Sequence, residues 1–253
     1  SANQNSKTVI SNQSRGHIFC APSRMADDEV FWSPTVLADY DPTCTFIPPY
    51  KKNKSKKRRT EPDTIPSTSL HSYWLKRYTY FSRYDDGVLI DRTGWFSVTP
   101  EHTAHHIASL VPAGCLVYDG FAGIGGNAIQ FAVAGSDVIA SEFDVQRASL
   151  CAHNVRVYGV DEFVDVLVGD YFQVAQRVKA DVAFLSPPWG GPQVNKQPVF
   201  RLSTMDGERI FEHAKLVAPN IIYYLPRHTS ITDIAALAPE EHFRILIHRD
   251  ESG

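Results

Sequence analysis

The chain is short of cysteine and has no long apolar segment. Its 253 residues include four cysteines, none in a Cys-x-x-Cys pair, which argues against a structural zinc site and favours a reducing compartment. No apolar run approaches the roughly 20 residues that cross a bilayer, so we expect no membrane contact. The hydrophobic fraction of 43% is ordinary for a globular protein, and the length suits one domain with an extension.

Basic residues are also scarce, except in one stretch. The net charge is −3, with 25 lysines and arginines against 28 acidic residues. Seven of the 25 lie within residues 51–59, which begin at Lys51 and end at Arg59 and are called the basic strip below. Such a strip predicts a nuclear-import signal or a contact with an RNA backbone. Residues 1–69 as a whole are rich in Ser, Asn, Pro and Lys and lack periodicity, which predicts a flexible segment.

Residues 70–111 predict a small helical extension. Aromatic side chains recur at near-helical spacing between residues 71 and 81. A second helix is expected from Pro100 to about residue 110, because Thr99 can act as its N-cap and proline is favoured at the first helical position. Residues 88–90 predict a short strand between the two helical parts.

Beyond Pro112, apolar strands alternate with amphipathic helices. The predicted strands are 116–119, 138–141, 163–168, 182–185, 221–225 and 243–247. The predicted helices are 126–134, 145–158, 172–178, 207–216 and 231–237. Continuous apolar strands separated by helices indicate a parallel sheet covered on both faces, which is an α/β fold. Ligands of such sheets bind beyond the carboxyl ends of the strands, so we expect the site of the core, residues 112–253, at that edge.

A tetrapeptide follows the fourth of these strands and consists of Ser186, Pro187, Pro188 and Trp189. The exocyclic amine of a purine is a poor nucleophile, because its lone pair is delocalised into the ring. A carbonyl or hydroxyl oxygen must accept its hydrogens and orient the lone pair. The prolines fix the backbone and leave rigid carbonyls free to accept, and Trp189 offers a face to a base. The tetrapeptide suits methyl transfer to such an amine; taken alone, it also fits a tight turn with a packing Trp.

Three acids follow three successive predicted strands, and a glycine loop follows the first acid. Asp119 opens this loop, in which Gly123 and Gly125 let the backbone pass close to a ligand. A carboxylate at this point would repel the diphosphate of a dinucleotide but suits an amino group. Glu142 is placed to hold ribose hydroxyls, and Asp170 is placed to accept from an adenine amino group. The three acids predict S-adenosylmethionine as the cofactor; the alternative is that they only cap helices.

Longer runs of sequence resemble the catalytic domain of the trimethylguanosine synthase family. The runs are Tyr73-Trp74, Arg77-Tyr78, Phe81-Ser82-Arg83, Asp85-Asp86-Gly87, residues 94–101, the glycine loop, residues 184–192 and residues 224–227. The resemblance implies a class I, Rossmann-like S-adenosylmethionine-dependent methyltransferase fold with a small helical N-terminal extension over the active site. The implied reaction methylates the exocyclic N2 amine of 7-methylguanosine caps and gives 2,2,7-trimethylguanosine on snRNA and snoRNA.

The resemblance also implies roles for individual residues. Ser186 and the Pro187 carbonyl orient the amine, and Trp189 stacks on the base, whose positive charge favours an indole face by ~0.5–2 kcal/mol. Asn154 closes the opposite face of the base, and Arg227 meets the cap triphosphate. The implied substrate-binding residues are Trp189, Asn154, Pro188 and Arg227. The implied cofactor-binding residues are Phe81, Thr99, Pro100, Asp119, Gly123, Gly125, Asn127, Glu142, Asp170 and Ser186.

The implied partner is a 7-methylguanosine-capped small RNA, which the basic strip could contact through its backbone. We expect a monomer in the nucleus, with nucleolar or Cajal-type bodies and a cytoplasmic pool as further locations. No metal is expected: His102 and His106 are spaced like helical metal ligands, but no third ligand is evident, so they predict surface or core histidines.

The chain departs from the family pattern at several positions. Glu142 stands where an Asp is usual, and Ser72 stands where relatives carry a Lys that reaches the cap phosphates. Gln193 and Val194 replace an Asp-Tyr pair, which removes an aromatic contact to the substrate. The antiparallel seventh strand of class I methyltransferases is not evident after residues 243–247 and is either missing or truncated.

Two other functions remain open from the sequence. An adenine amino-group methyltransferase of DNA or RNA shares the polar-Pro-Pro-aromatic motif, but the long matches outside the motif disfavour it. A non-catalytic cap- or RNA-binding module would have lost its cofactor, and the intact Asp119, Glu142 and Asp170 argue against that.

Overall fold

Eight strands in the described residues form one sheet, and five neighbours in it run parallel. The computed structural model describes residues 7–13, 45–46, 70–191, 194, 197–239 and 242–247. The strands are β1 (Lys7–Gln13), β2 (Thr45–Phe46), β3 (Leu116–Asp119), β4 (Asp137–Glu142), β5 (Val164–Val168), β6 (Val182–Leu185), β7 (Asn220–Pro226) and β8 (His242–Ile247). Their spatial order is β2-β5-β4-β3-β6-β7-β1-β8, with β5, β4, β3, β6 and β7 parallel. The predicted α/β methyltransferase fold is confirmed.

Helices cover both faces of the sheet, as the apolar strands require. In β3, Val117 belongs to one buried cluster and its neighbour Tyr118 to the other. In β6, Phe184 and Leu185 divide in the same way, and every residue of that strand is buried. Side chains of a strand alternate between its faces, so two apolar cores flank one sheet. Full burial of one such side chain stabilises the fold by ~1.5–3 kcal/mol.

The helices of the core follow the predicted alternation. They are α5 (Gly126–Val133), α6 (Val145–Tyr158), α7 (Tyr171–Val174), α8 (Gly207–Val217) and α9 (Ile231–Leu237). Three begin at a side-chain cap: Asp144 accepts from the N–H of Arg147, Asp170 from that of Phe172, and Ser230 from that of Asp233. These caps satisfy amide groups that have no partner inside the helix. No helix in the described residues is long and apolar enough to cross a bilayer.

The antiparallel strand that is not evident from the sequence after residues 243–247 is present, and it is formed by residues near the start of the sequence. Strand β1 lies between β7 and β8 and is antiparallel to both, with Ile10 opposite Tyr223 on one side and Ile245 on the other. Strand β2 adds to β5 at the far edge of the sheet, with Thr45 opposite Val168. Nine residues of the segment predicted to be flexible therefore lie in the sheet, whereas the basic strip falls outside the described residues.

The N-terminal extension is divided into shorter helices than its aromatic spacing predicts. It consists of α1 (His71–Leu75), α2 (Arg77–Tyr80), a 3₁₀ turn (Tyr84–Asp86), α3 (Gly94–Ser97) and α4 (Glu101–Ala108). The predicted N-cap, Thr99, is wrong: Pro100 occupies the cap position of α4, and the Thr99 hydroxyl accepts from Asn127 instead. Residues 88–90 form no strand, because the peptide groups of Leu89 are bonded to the side chain of Asn154 rather than to a neighbouring strand.

Candidate active site

The site lies where the order in which the chain adds strands to the sheet reverses. From β3 the chain moves through β4 and β5 on one side, and then through β6 and β7 on the other. A crevice opens at such a switch point beyond the strands' carboxyl ends. The glycine loop follows β3 and the Ser-Pro-Pro-Trp tetrapeptide follows β6, and the N–H of Gly120 donates to the carbonyl of Phe184 at 3.1 Å. The predicted cofactor and acceptor motifs are therefore direct neighbours.

The glycine loop is packed closely against α6. Gly125 has φ +93°, which side-chain-bearing residues rarely adopt. A β-carbon there would lie 3.0 Å from Sγ of the buried Cys151. The loop therefore depends on glycine both for its conformation and for its contact with the helix behind it.

Asp119 is a buried carboxylate with an unused oxygen. Its Oδ1 accepts from the N–H of Phe121 at 3.2 Å, and its side chain is 1% exposed. Its Oδ2 has no hydrogen-bond partner among the described residues. Burial raises the pKa of Asp119 to about 7, and the nearby charge of Glu142 adds to the shift. A buried carboxylate in this state is suited to accept from a cationic ligand.

Asn127 supplies a second unused oxygen at the start of α5. Its Nδ2 donates to the Thr99 hydroxyl at 3.0 Å, whereas its Oδ1 is buried and has no partner in the described part of the chain. Phe81, 1% exposed, and Thr99 flank the start of α5 from the extension, and Pro100 follows Thr99 in the chain. A β-carbon on Gly126 would lie 2.8 Å from the side chain of Val98. The extension therefore packs directly on the glycine loop, as the predicted cofactor role of these residues requires.

Glu142 holds the glycine loop from the second strand. Its Oε2 accepts from the N–H of Gly123 at 3.0 Å, and its Oε1 accepts from the N–H of Asp144 at 2.9 Å. The guanidinium of Arg147 lies 3.1 Å from Oε1. Through these contacts the Glu142 carboxylate lies against the glycine loop. The Glu142 carboxylate oxygens still have lone pairs that a ligand could use, although both oxygens already accept hydrogen bonds within the protein.

Asp170 and Phe143 complete the row along the strand ends. Asp170 follows β5 and, besides capping α7 through Oδ1, keeps a second carboxylate oxygen. Phe143 directly follows Glu142 and is 73% exposed. Phe143 was not predicted as a site residue, although an aromatic side chain that follows a strand-end acid and faces solvent is a candidate platform for a planar ring.

The tetrapeptide borders a cavity of about 320 Å³ at the end of β6. Pro187 is buried, Ser186 and Trp189 are half-buried, and Pro188 is exposed. Besides Pro187, Pro188 and Trp189, the cavity is lined by Phe121, Gly190, Phe172, Thr204, Met205, Asp206 and Ile210. The last five come from α7, from the 3₁₀ turn Leu202–Met205, from Asp206 directly after that turn and from α8, and they were not predicted. The lining is mostly apolar with aromatic faces, which is typical of a site for a heterocyclic ring.

Trp189 is fixed in place by packing. Its ring centroid lies 5.6 Å from that of Tyr224, at an interplanar angle of 57°, and it packs against both buried clusters. Arg227 follows β7 at the same edge of the sheet and is exposed, as a residue that meets a phosphate chain would be. Ser72 is exposed in α1, and Val194 is 6% exposed and buried in the core, whereas Gln193 lies outside the described residues.

Asn154 does not face the cavity. Its side chain is 0% exposed, and its amide is hydrogen-bonded to the main chain of Leu89 and Ile124. The predicted direct contact with the base is therefore wrong for this structure, because no polar atom of Asn154 reaches the surface. His102 and His106 lie exposed on α4, and the described residues contain no group of three potential ligands that could hold a metal.

Comparisons with known proteins agree with this geometry. A family model described as RNA cap guanine-N2 methyltransferase matches residues 115–247. The chain is 36% identical over 182 residues to the trimethylguanosine synthase of Schizosaccharomyces pombe. The matched region covers 66% of this chain and 75% of that protein. The chain belongs to the RNA cap guanine-N2 methyltransferase family.

Two further matches are reported for comparison. The trimethylguanosine synthase of Saccharomyces cerevisiae is 31% identical over 186 residues, which is 68% of this chain and 59% of that protein. A solved structure from Porphyromonas gingivalis W83, itself a proposed methyltransferase, has a TM-score of 0.54 and 17% identity over 66% of this chain and 42% of that one. At this identity the structural match concerns the fold alone.

A cap methyltransferase of this family uses S-adenosylmethionine, and the residues at the switch point fit that cofactor. The unused oxygens of Asp119 and Asn127 suit the α-amino group of its aminoacyl tail, which is a donor. The carboxylates of Glu142 and Asp170 suit the hydroxyl and amino donors of a nucleoside. The exposed ring of Phe143 suits its adenine.

Proposed function

We propose that this chain methylates the exocyclic N2 amine of 7-methylguanosine caps on small RNAs and forms 2,2,7-trimethylguanosine. One observation carries the proposal: a half-buried Trp189, fixed against Tyr224, shares a cavity with rigid prolines and adjoins a glycine loop with a buried acid. A 7-methylated guanine is a cation, and a cation over a desolvated indole is stabilised by up to ~2 kcal/mol. Trp189 would therefore select the methylated cap over unmethylated guanine.

Each part of the site has a proposed task. S-adenosylmethionine supplies an electrophilic methyl group when bound. Asp119 accepts from its amino group, Glu142 from its ribose, and Asp170 from its adenine. The Ser186 hydroxyl and the Pro187 carbonyl accept the amine hydrogens of guanine and point its lone pair at the methyl group. Because the amine becomes acidic as the new bond forms, its proton can leave to water, and rate enhancement rests on alignment.

A panel of acceptors tests the proposed reaction. The protein with S-adenosylmethionine should methylate a 7-methylguanosine cap analogue and leave an unmethylated guanosine cap and adenine-containing DNA or RNA oligonucleotides unchanged. Mass spectrometry of the product shows whether one or two methyl groups are added. Methylation of adenine would instead identify an adenine amino-group methyltransferase. Cofactor or cap binding without turnover would identify a non-catalytic binding module.

The basic strip is proposed to serve long RNA and not the chemistry. Its deletion should leave turnover of a free cap analogue little changed, because none of the cavity residues is removed. On a long capped RNA the affinity should fall, and the dependence of log K on log salt should become shallower by ~0.7 for each phosphate group that the strip no longer neutralises. Titration of a capped RNA at several salt concentrations measures this slope. An unchanged slope would leave the strip with a role in nuclear import only.

The implied setting of the reaction is the nucleus, with nucleolar or Cajal-type bodies and a cytoplasmic pool, and the protein is proposed to act as a monomer. Membership in a cap methyltransferase family supports an RNA substrate. A fluorescent fusion of the chain, with and without the basic strip, tests the location.

A further inference from the structure

Helix α6 connects the N-terminal extension to the core through three side chains. The hydroxyl of Tyr158 donates to Glu101 at 3.0 Å, and the Ser82 hydroxyl donates to the same carboxylate at 2.8 Å. Nε2 of His153 lies 2.8 Å from the carbonyl of Gly87. The third side chain, Asn154, contacts Leu89. These contacts hold the stretch of the extension from residue 82 to residue 89 against the helix.

Asn154 differs from Tyr158 and His153 because it also contacts the glycine loop. Its Oδ1 accepts from the N–H of Leu89 at 2.8 Å, and its Nδ2 donates to the Leu89 carbonyl at 2.9 Å. The same Nδ2 donates to the carbonyl of Ile124 at 3.0 Å. Both hydrogens of Nδ2 are therefore donated, one to the extension at Leu89 and one to the glycine loop at Ile124. Because the side chain has no exposed surface, water cannot replace either partner.

Ile124 lies at the centre of the glycine loop, between Gly123 and Gly125. Its side chain is also confined by the extension, since a β-carbon on Gly94 would lie 2.9 Å from its Cδ1. The neighbouring Gly123 donates to Glu142. A movement of the loop on cofactor binding must therefore either carry Leu89 with it or break a buried hydrogen bond.

We propose that Asn154 is a positioning residue that couples cofactor binding to cap binding. The coupling rests on the proposed function, in which the glycine loop holds S-adenosylmethionine, and on the position of the extension over the active site that the family resemblance implies. Cofactor bound in the glycine loop fixes the position of Ile124. Because Asn154 is bonded to both segments, Leu89 is fixed as well, and the extension is ordered before the cap binds. By linkage the effect is reciprocal, so a bound cap tightens the cofactor by the same factor.

Binding of each ligand in the presence and absence of the other tests the coupling. In the wild-type protein, saturating S-adenosylhomocysteine should tighten binding of a 7-methylguanosine cap analogue about fivefold or more, within the usual range of such couplings. In the Asn154→Ala variant this ratio should fall to about one, while each ligand alone still binds. Isothermal titration in the four combinations provides the ratio for each protein.

The His153→Ala variant is the matched control. It lies beside Asn154 on α6 and contacts the extension at Gly87 but has no contact with the glycine loop. It should therefore keep the coupling ratio of the wild type. A ratio of about one in the wild type, or an unchanged ratio in Asn154→Ala, would overturn the coupling. Failure of the wild-type protein to bind either ligand would overturn the proposed function instead.

Two further measurements cover the case in which Asn154→Ala does not fold. The Asn154→Asp variant has the same shape and can still accept from Leu89, but it cannot donate to both carbonyls and should lose most of the coupling. In the wild-type protein, S-adenosylhomocysteine alone should slow amide hydrogen exchange at Leu89, which donates to Asn154. Unchanged exchange at Leu89, in a protein shown to bind the ligand, would contradict the mechanism.

Discussion

Replacement of Trp189 with alanine should lower kcat/KM for a 7-methylguanosine cap by about 100-fold or more. Stacking of a base on an aromatic ring contributes ~1–3 kcal/mol, and the charge of the methylated base adds a cation–π term. The loss is larger than stacking alone, because a base without its platform is no longer held against Ser186 and Pro187. Steady-state kinetics with a cap analogue measure the effect.

Two further variants separate stacking from packing. Trp189→Leu restores apolar volume against Tyr224 but not the π face, so it should fail almost as severely as alanine. Trp189→Phe keeps a smaller π face and should retain part of the activity and the preference for 7-methylated guanine. Titration with S-adenosylhomocysteine should show nearly normal cofactor binding in all three proteins. Near-normal turnover of Trp189→Ala would remove the basis for assigning the cap to this cavity.

Replacement of Asp119 with asparagine should weaken cofactor binding and stabilise the cofactor-free protein. The unused Oδ2 of Asp119 would no longer offer a negative charge to the amino group of S-adenosylmethionine, and loss of a charge-assisted hydrogen bond costs ~1.5–3 kcal/mol. The affinity should therefore fall about 10-fold to 150-fold in titration. For the wild-type protein, affinity should also fall as the pH is lowered through 7, because Asp119 must lose its proton to bind a cation.

The stability effect has a defined direction with pH. Burial raises the pKa of Asp119 from 3.8 to about 7 in the folded protein. The unfolded chain thus loses this proton at a lower pH than the folded one, and the wild-type protein loses stability as the pH rises from 3.8 to 7. One pKa unit corresponds to ~1.4 kcal/mol, so the loss amounts to a few kcal/mol at most.

Asparagine carries no charge, so the stability gain should depend on pH. The free energy of unfolding of Asp119→Asn should exceed that of the wild type at pH 8, and the difference should shrink towards pH 5, where Asp119 is already protonated. Denaturant unfolding of the cofactor-free proteins at several pH values measures this difference. A difference that stays constant with pH would show that Asp119 titrates normally and that its burial has no such electrostatic cost.

The sequence predicts the sheet well because its strands carry local signals. Apolar runs such as residues 182–185 are bounded by turn and cap residues, so strand β6 and helix α6 coincide with their predicted bounds. The site acids are predictable for the same reason, since each lies at or just beyond the carboxyl end of a strand. Non-local pairings carry no comparable signal. The pairing of β1 and the contact of Asn154 with Leu89 join residues that are far apart in the chain. The hydroxyl of Thr99 could bond either to an amide at the start of α4 or to Asn127, and only the fold shows that its partner is Asn127.

The place of β1 in the sheet has a consequence for biosynthesis. One of its partners, β8, is the last described strand, so Ile10 pairs with Ile245 across almost the whole chain. A nascent chain emerges from the ribosome with its N-terminus first, and β1 must wait until β7 and β8 have both been made. Such distant pairing slows folding and prolongs the exposure of unpaired strand edges. The five parallel strands do not pair with β1 except through β7, so they can assemble before β1 joins the sheet.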